Sequence, residues 1–325
     1  MPCIFLHQST NKKQAARPTE TAFSRFRARF AAFAIMALLF AFAIPADAFA
    51  RTVVIHLEDN TIYAGFAGES SPRVSFPAVV GRPKRTGVMV GMGQKDAYIG
   101  NEALARKSTL TLNYPIRNGI VQNMDDLEKI LHHTFYNELR VAPEEQAVLI
   151  IESSFSRRSD RERIVQMLFE TFNVPAAYLS RDTVMAAYAA GKTTATVVDM
   201  QSGYIQVSSV YEGYLVQTVR VSELSEIGTA VKEAVQKLDP AKQSAVLSSL
   251  VIAGPQIKDP QGIHKLVQQA APGDVKISLV QPASPATAIW QGGSILSNLS
   301  TFDEMMINKD EYDEAGPAIV HRKCT

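Results

Sequence analysis

At 325 residues, with 46% apolar and 20% charged residues and a formal net charge of +1, the chain has room for one large or two modest globular domains. A charge balance this even excludes the strongly basic surface that nucleic-acid binding demands. Two cysteines at opposite ends, Cys3 and Cys324, exclude a disulfide framework or a cysteine metal centre.

Residues 1–50 stand apart. Lys12, Lys13, Arg17, Arg25, Arg27 and Arg29 precede an apolar run, Phe30–Ile44, and Ala48-Phe49-Ala50 follows it. A basic region, an apolar core and an A-x-A end form a secretory signal pattern. The run is shorter than the roughly 20 apolar residues of a membrane span. Three readings stay open: a cleaved signal that exports the chain, an anchor that keeps residues 30–50 in a membrane, or a start codon set too early, with a cytoplasmic protein beginning near Arg51.

Beyond residue 50 the pattern alternates strand and helix. RTVVIHL (51–57) reads as a β-branched strand and TIYAGFAG (61–68) as its hairpin partner. Residues 78–114 are rich in glycine and carry few periodic elements. NMDDLEKILHHTFYNEL (123–139) predicts a helix capped by Asn123, with Leu127, Ile130, Leu131, Phe135 and Leu139 on one face. His132 and His133 lie within it, and adjacent residues do not share a helix face, so they predict no metal site. AVLIIE (147–152) is a buried-strand run. Helices follow at 160–172 and 181–191, the second stopped by Gly191. Arg157, Arg158 and Arg161 read as a small solvated basic face. Residues 194–221 predict three strands with turns at Gln201–Gly203 and Glu212–Gly213. Helices near 223–238 and 241–249, a strand over 250–254, a helix over 260–271, a strand over 275–280 and a C-terminal helical region complete the chain.

Two features go further. TVVIHLEDNTIYAGFAG and ATVVDMQSGYIQVSSV both read as strand, turn, strand with helices later, an internal echo. A doubled α/β unit places a ligand in the cleft between its halves, against the hairpin turns. GVMVGMGQK (87–95) alternates glycine with Val88, Met89, Val90 and Met92 before its first charge, Lys95, which makes a poor exposed surface unless something covers it.

Long blocks then resemble actin: AGFAGESSPRVSFPAVVGRPKRTGVMVGMGQKDAYIGNEA, LTLNYPIRNGIVQNMDDLEKILHHTFYNELRVAPEE, VYEGY (210–214) and WQGGSILSNLSTFDEMMINKDEYDEAGPAIVHRKC (290–324). The resemblance spans about residues 51–325. It implies an α/β actin-like fold of duplicated ribonuclease H-like βββαβα units around an ATP cleft. On it, residues 51–77, 115–189 and 288–325 make subdomain 1, residues 78–114 make subdomain 2, and residues 190–287 make subdomain 3. After TVRVSEL, roughly ninety residues of the family, the size of a small domain, have no counterpart, so the fourth subdomain is expected to be missing.

The resemblance also implies decayed phosphate loops. A phosphate-cradling hairpin needs glycines and a nearby Asp to organise Mg²⁺. The family's D-N-G-S-G falls on His56, Leu57, Glu58, Asp59 and Asn60, and its phosphate-binding lysine on Tyr63. Its second loop falls on Asp199-Met200-Gln201-Ser202-Gly203. Its water-positioning Gln falls on Asp182, its catalytic-loop His on Gln206, and its G-G-T on Gly254-Pro255-Gln256. Asp199, Gly203 and Gly254 are the remnant of the nucleotide site. No catalytic residue and no bound metal are expected. ATP and Mg²⁺ would be cofactors only if the altered pocket still binds them.

In the family, the segment matching Gly87, Val88, Met89, Val90 and Met92 plugs into the next subunit. The receiving groove falls here on Tyr188, Thr193, Tyr211, Glu212, Tyr214, Leu296, Leu299 and Met305. Plug and groove on one chain imply head-to-tail self-association. Three functions follow as expectations: a filament-forming cytoskeletal protein without nucleotide control, an ATP-dependent actin-type ATPase, or a monomeric module that binds other proteins, actin-binding proteins among them. The Asn298-Leu299-Ser300 sequon falls in the groove helix and is expected to be buried or unused. Without a signal, the expected compartment is the cytoplasmic cytoskeleton.

Overall fold

The first sheet grows from the most apolar stretches of the chain. The computed structural model describes residues 51–84, 95–273 and 275–324. In it, VVIHL forms β1 (Val53–Leu57) and TIYAGF forms β2 (Thr61–Phe66), an antiparallel hairpin with Val53 opposite Phe66. On the far side of β2 runs β3 (Val74–Pro77). β1 lies mid-sheet, so all five of its residues are buried, His56 included.

A smaller sheet follows. β4 (Val80–Pro83), β5 (Tyr98–Ile99) and β6 (Leu110–Asn113) pair around α1 (Asn101–Ala105), with a core of their own made by Val79, Tyr98, Ala103 and Leu110. The glycine-rich composition of 78–114 hid these short elements, since a strand of two to four residues shows no periodicity. β7 (Ile116–Arg117) and β8 (Ile120–Val121) make a tight hairpin. α2 (Met124–His132) starts where the sequence places it: the Asn123 side chain accepts from the Asp126 N–H at 3.1 Å. It then widens into π-helical turns over His133–Leu139. Asp126 is fully buried and accepts from Arg82 of β4 and Asn113 of β6, which ties the small sheet to α2.

β9 (Val148–Glu152) pairs with β1 in parallel, and β10 (Ala176–Arg181) with β9. Strands covered on both faces read as unbroken apolar runs, as Val148-Leu149-Ile150-Ile151 does. α3 (Arg158–Gln166) joins them, widening at Met167–Thr171. α4 (Asp182–Ala189) leads to the second sheet, β11 (Ala195–Met200), β12 (Ile205–Tyr211) and β13 (Tyr214–Val221). A single turn, Leu224–Glu226, connects β13 to α5 (Ile227–Val235). α6 (Pro240–Leu247), β14 (Ser249–Ala253), α7 (Pro260–Ala270) and β15 (Ser278–Val280) follow. The strand expected over 275–280 is thus three residues long. α8 (Ala288–Leu296) packs against α4, and its Trp290 indole donates to the Val54 carbonyl of β1 at 3.0 Å. α9 (Phe302–Met305), β16 (Ile307–Asn308), α10 (Lys309–Ala315) and α11 (Val320–Lys323) close the chain, with β16 pairing on β10.

The internal echo is structural. The first sheet runs β16-β10-β9-β1-β2-β3 and the second β15-β14-β11-β12-β13. With β16 set aside, the two orders are the same, with the same parallel and antiparallel pairings. One correction concerns the basic run. Arg157 and Arg158 are exposed, but Arg161 is buried, where it pairs with Glu152 and donates to the Cys324 carbonyl at 2.7 Å and the Leu179 carbonyl at 3.3 Å. Its position on α3 turns it onto the sheet, away from its two neighbours. Among the described residues, no helix is long and apolar enough to cross a membrane. The Phe30–Ile44 run lies outside them.

Candidate functional site

The duplicated sheets bring two hairpin turns forward, Glu58–Asn60 after β1 and Gln201–Gly203 after β11. Asp199 stands one residue before the end of β11, fully buried, paired in register with Gln206 of β12 and Ala253 of β14. Its Oδ2 accepts from the Gln201 side chain at 2.8 Å, and its Oδ1 has no hydrogen-bond partner. Gly254 closes over it at φ +105, and a Cβ there would stand 2.5 Å from the Met200 carbonyl and 2.6 Å from Asp199 Oδ1. The structure therefore joins Asp199 and Gly254. Gly203 is only a turn residue, with nothing near the place of a Cβ.

Asp182, first residue of α4, lies buried on the same side. It accepts from the N–H groups of Ser154 at 3.0 Å and Thr183 at 2.6 Å, from the Ser154 hydroxyl, and from Gln206 Nε2 at 3.0 Å. Burial pushes its carboxyl up against those bonds. Burial pushes Asp199 well above the usual carboxylate range, and the nearby Asp182 and Glu58 add to it. Glu58 is pushed up to about 7 by burial, opposed by a hydrogen bond from Gln201 and reinforced by Asp59 and Asp182. His56, stacked at 5.8 Å on Tyr63, is pushed down to about 3, again by burial. A buried group resists whichever state carries charge, so the imidazole is neutral at neutral pH.

Asp59 faces another way. Its carboxylate accepts from the Asn118 N–H at 2.5 Å and the Gly119 N–H at 2.7 Å, in the β7–β8 turn. Sequence reasoning did not single out this turn, although Asn-Gly between short strands, here Ile116-Arg117 and Ile120-Val121, is the strongest short hairpin signature. Arg220 of β13, also not singled out, donates to the Asn118 carbonyl and lies over the Phe155 ring at 3.9 Å and the Tyr204 ring at 4.6 Å. Among the described residues, no group of three or more His, Cys, Asp or Glu side chains is arranged to hold a metal ion.

Five of the expected groove residues, Tyr188, Thr193, Tyr211, Glu212 and Tyr214, lie at the opposite end of the second sheet. The β12–β13 turn places Tyr211, Glu212 and Tyr214 together; the Glu212 N–H donates to Thr194 Oγ1 at 3.0 Å and the Gly213 N–H to the Thr193 carbonyl at 2.7 Å. The Tyr188 hydroxyl, from the end of α4, lies against Gly213. Tyr214 and Leu299 are more than half exposed, and Met305 is half-buried. Leu296 differs from the expectation: it faces the core at 4% exposure, and its neighbour Ile295 meets solvent at 49%. Asn298 is exposed just past α8, against the first of the two expectations for its sequon, burial. The plug residues Gly87, Val88, Met89, Val90 and Met92 lie outside the described residues; Lys95, at their edge, pairs with Glu102 at 3.0 Å.

The duplicated sheet order and the paired hairpin turns agree with what the sequence blocks imply. A family model described as actin matches residues 48–225 and 217–325. The chain belongs to the actin family.

Proposed function

We propose that this actin-family chain is a cytoskeletal, filament-forming protein that assembles head to tail through its 87–95 loop, without nucleotide control. The observation that carries the reading is the chemistry between the hairpin turns. Asp182 lies near enough to raise both Glu58 and Asp199, and Glu58 raises Asp199, while Asp59 takes the N–H groups of Asn118 and Gly119 for itself. A bound triphosphate needs free N–H donors and cations. Four carboxyl groups crowd the place instead; burial already disfavours the charge on Glu58, Asp182 and Asp199, and charging any of them beside a triphosphate would add repulsion, about 4 kcal/mol for two unit charges 4 Å apart at an effective dielectric of 20. These residues do not fit a magnesium triphosphate.

Self-association is supported by the exposed Tyr214 close to half-buried Tyr188 and by Ile295 and Leu299, exposed at and after the end of α8. An apolar face of this kind needs a cover, and Met-bearing loops adapt well to one. The single turn between β13 and α5, and the restart of the family match over 217–225, support the absence of a fourth subdomain. Single longitudinal strands are the expected polymer.

Sedimentation of the full chain with and without Mg-ATP tests this. Equal polymer in both supports the proposal. Monomer in both, at high concentration, overturns it and favours a module that binds other proteins. Polymer only with Mg-ATP favours a second reading, ATP-dependent assembly through a remodelled pocket, for which the surviving contact of Asp199 with Gly254 is the supporting observation.

A further inference from the structure

The β7–β8 turn is built to hold an anion. Asn118 and Gly119 both lie in the left-handed region, at φ 52 and 70. Successive N–H groups in such a turn converge on one point and form a nest for negative charge. The turn cannot be remade with larger residues, because a Cβ on Gly119 would stand 2.2 Å from Ser153 Oγ. The occupant is Asp59, from the turn between β1 and β2, with one carboxylate oxygen on each N–H. Charge-assisted bonds of this sort are about twice as strong as neutral ones.

The contact continues into the second sheet. The Asn118 carbonyl accepts from the Arg220 guanidinium of β13. That guanidinium lies against Phe155, which follows β9 of the first sheet, and Tyr204, which precedes β12 of the second; the two rings meet edge to face at 6.1 Å. A cation over two aromatic faces adds attraction to the hydrogen bond. An unbroken path of polar contacts therefore runs from the β1–β2 turn, through Asn118–Gly119, to β13.

We infer that Asp59 is a built-in anion: it fills the Asn118–Gly119 nest in place of an external oxyanion and, through Arg220, latches the two sheets across the cleft. The latch is a property of the single chain and does not depend on whether the chain assembles.

Hydrogen exchange on the full chain tests it. The Asn118 and Gly119 amides should be protected in the wild type. Asp59→Ala should speed their exchange about tenfold or more, the scale of a lost charged hydrogen bond, while amides of β1 and β9 keep their rates. Inorganic phosphate at about 10 mM should restore protection in Asp59→Ala and add none to the wild type. Arg220→Gln, at an exposed position, should speed the same two amides by a smaller factor, about threefold. Unprotected amides in the wild type, or rates unmoved by Asp59→Ala, overturn the latch. Phosphate without effect on Asp59→Ala overturns the built-in anion. Rates unmoved by Arg220→Gln overturn the cross-sheet step. Should Asp59→Ala not fold, the wild-type protection and the Arg220→Gln response still decide between a latch and none.

Discussion

His56 and Asp199 occupy the same place in the two halves. Each is the next-to-last residue of its sheet's first strand, each pairs across a hairpin, with Tyr63 or Gln206, and each is flanked on the other side by a parallel strand, at Ile151 or Ala253. Both are buried, and the same desolvation drives both toward neutrality, the imidazole downward and the carboxyl upward. One residue further along the parallel strand the halves part. The first has Glu152, held by Arg161; the second has Gly254, closed over Asp199. The buried carboxyl of the first half has an arginine beside it, and that of the second has the Gln201 amide and is pushed upward by burial; a buried group without a countercharge resists ionisation.

The strongest way to break the comparison is Arg161→Ala. It would strand Glu152, whose remaining cation is Arg181 at 3.4 Å, and would release the carbonyls of Leu179 and Cys324. Losing one partner of a buried pair costs about 3–5 kcal/mol, measured as the shift in urea unfolding midpoint. A variant within about 1 kcal/mol of wild type would show that the pair behaves as a surface one. Gly254→Ala comes next. Its φ of +105 and its 2.5 Å approach to the Met200 carbonyl leave no relaxation but backbone movement. A loss of about 2–3 kcal/mol is expected by the same measurement, and a neutral outcome would mean that β14 is free to move off Asp199.

The doubled unit was legible because its signal is long: two strand-turn-strand segments with apolar runs, and blocks that match a known family. His56 and Asp199 were legible as positions within the two strand-turn-strand segments, and Asp182 through the resemblance, near the start of the helix expected over 181–191. The ion pair of Arg161 was not, since a basic triplet looks solvated until helix phase turns one member inward. The small sheet was missed because strands of two to four residues lack periodicity, β10 because AAYLSR carries no β-branched residue, and Asn118–Gly119 because a turn shows nothing of what it binds. The exposure of Ile295 in place of Leu296 is a one-residue question of helix phase, which pattern alone does not fix.

The opposed shifts also oppose each other in pH. Glu58 goes from a usual 4.5 to about 7, so between those values the native state holds more protons than the unfolded chain and stability falls as pH rises. Asp182 and Asp199 act in the same direction. His56 goes from 6.5 to about 3, so between those values the unfolded chain holds more protons and stability rises with pH. From pH 4.5 to 6.5 the two trends cancel in part. His56→Leu removes the opposing one, and its stability should fall between pH 4.5 and 7 by on the order of 1–3 kcal/mol more than that of wild type. Parallel pH profiles for the two proteins would show that His56 is not held neutral.

Asp199→Asn should have the smallest effect and the most specific one. The amide keeps the shape of the protonated carboxyl and cannot ionise, so at about pH 3, where the carboxyl is protonated in both the native and the unfolded chain, the variant should match wild type within about 0.5 kcal/mol. Above the ordinary value of 3.8 the unfolded wild-type chain gives up this proton while the native carboxyl, whose Oδ1 has no partner and whose neighbours are Glu58 and Asp182, holds it, so wild-type stability falls as pH rises. The variant escapes that loss, and the two stability curves should separate in its favour by about 1 kcal/mol at about pH 5. If they separate the other way, the Asp199 carboxylate is stabilised by a cation, and the second half of the molecule follows the rule that Arg161 sets in the first.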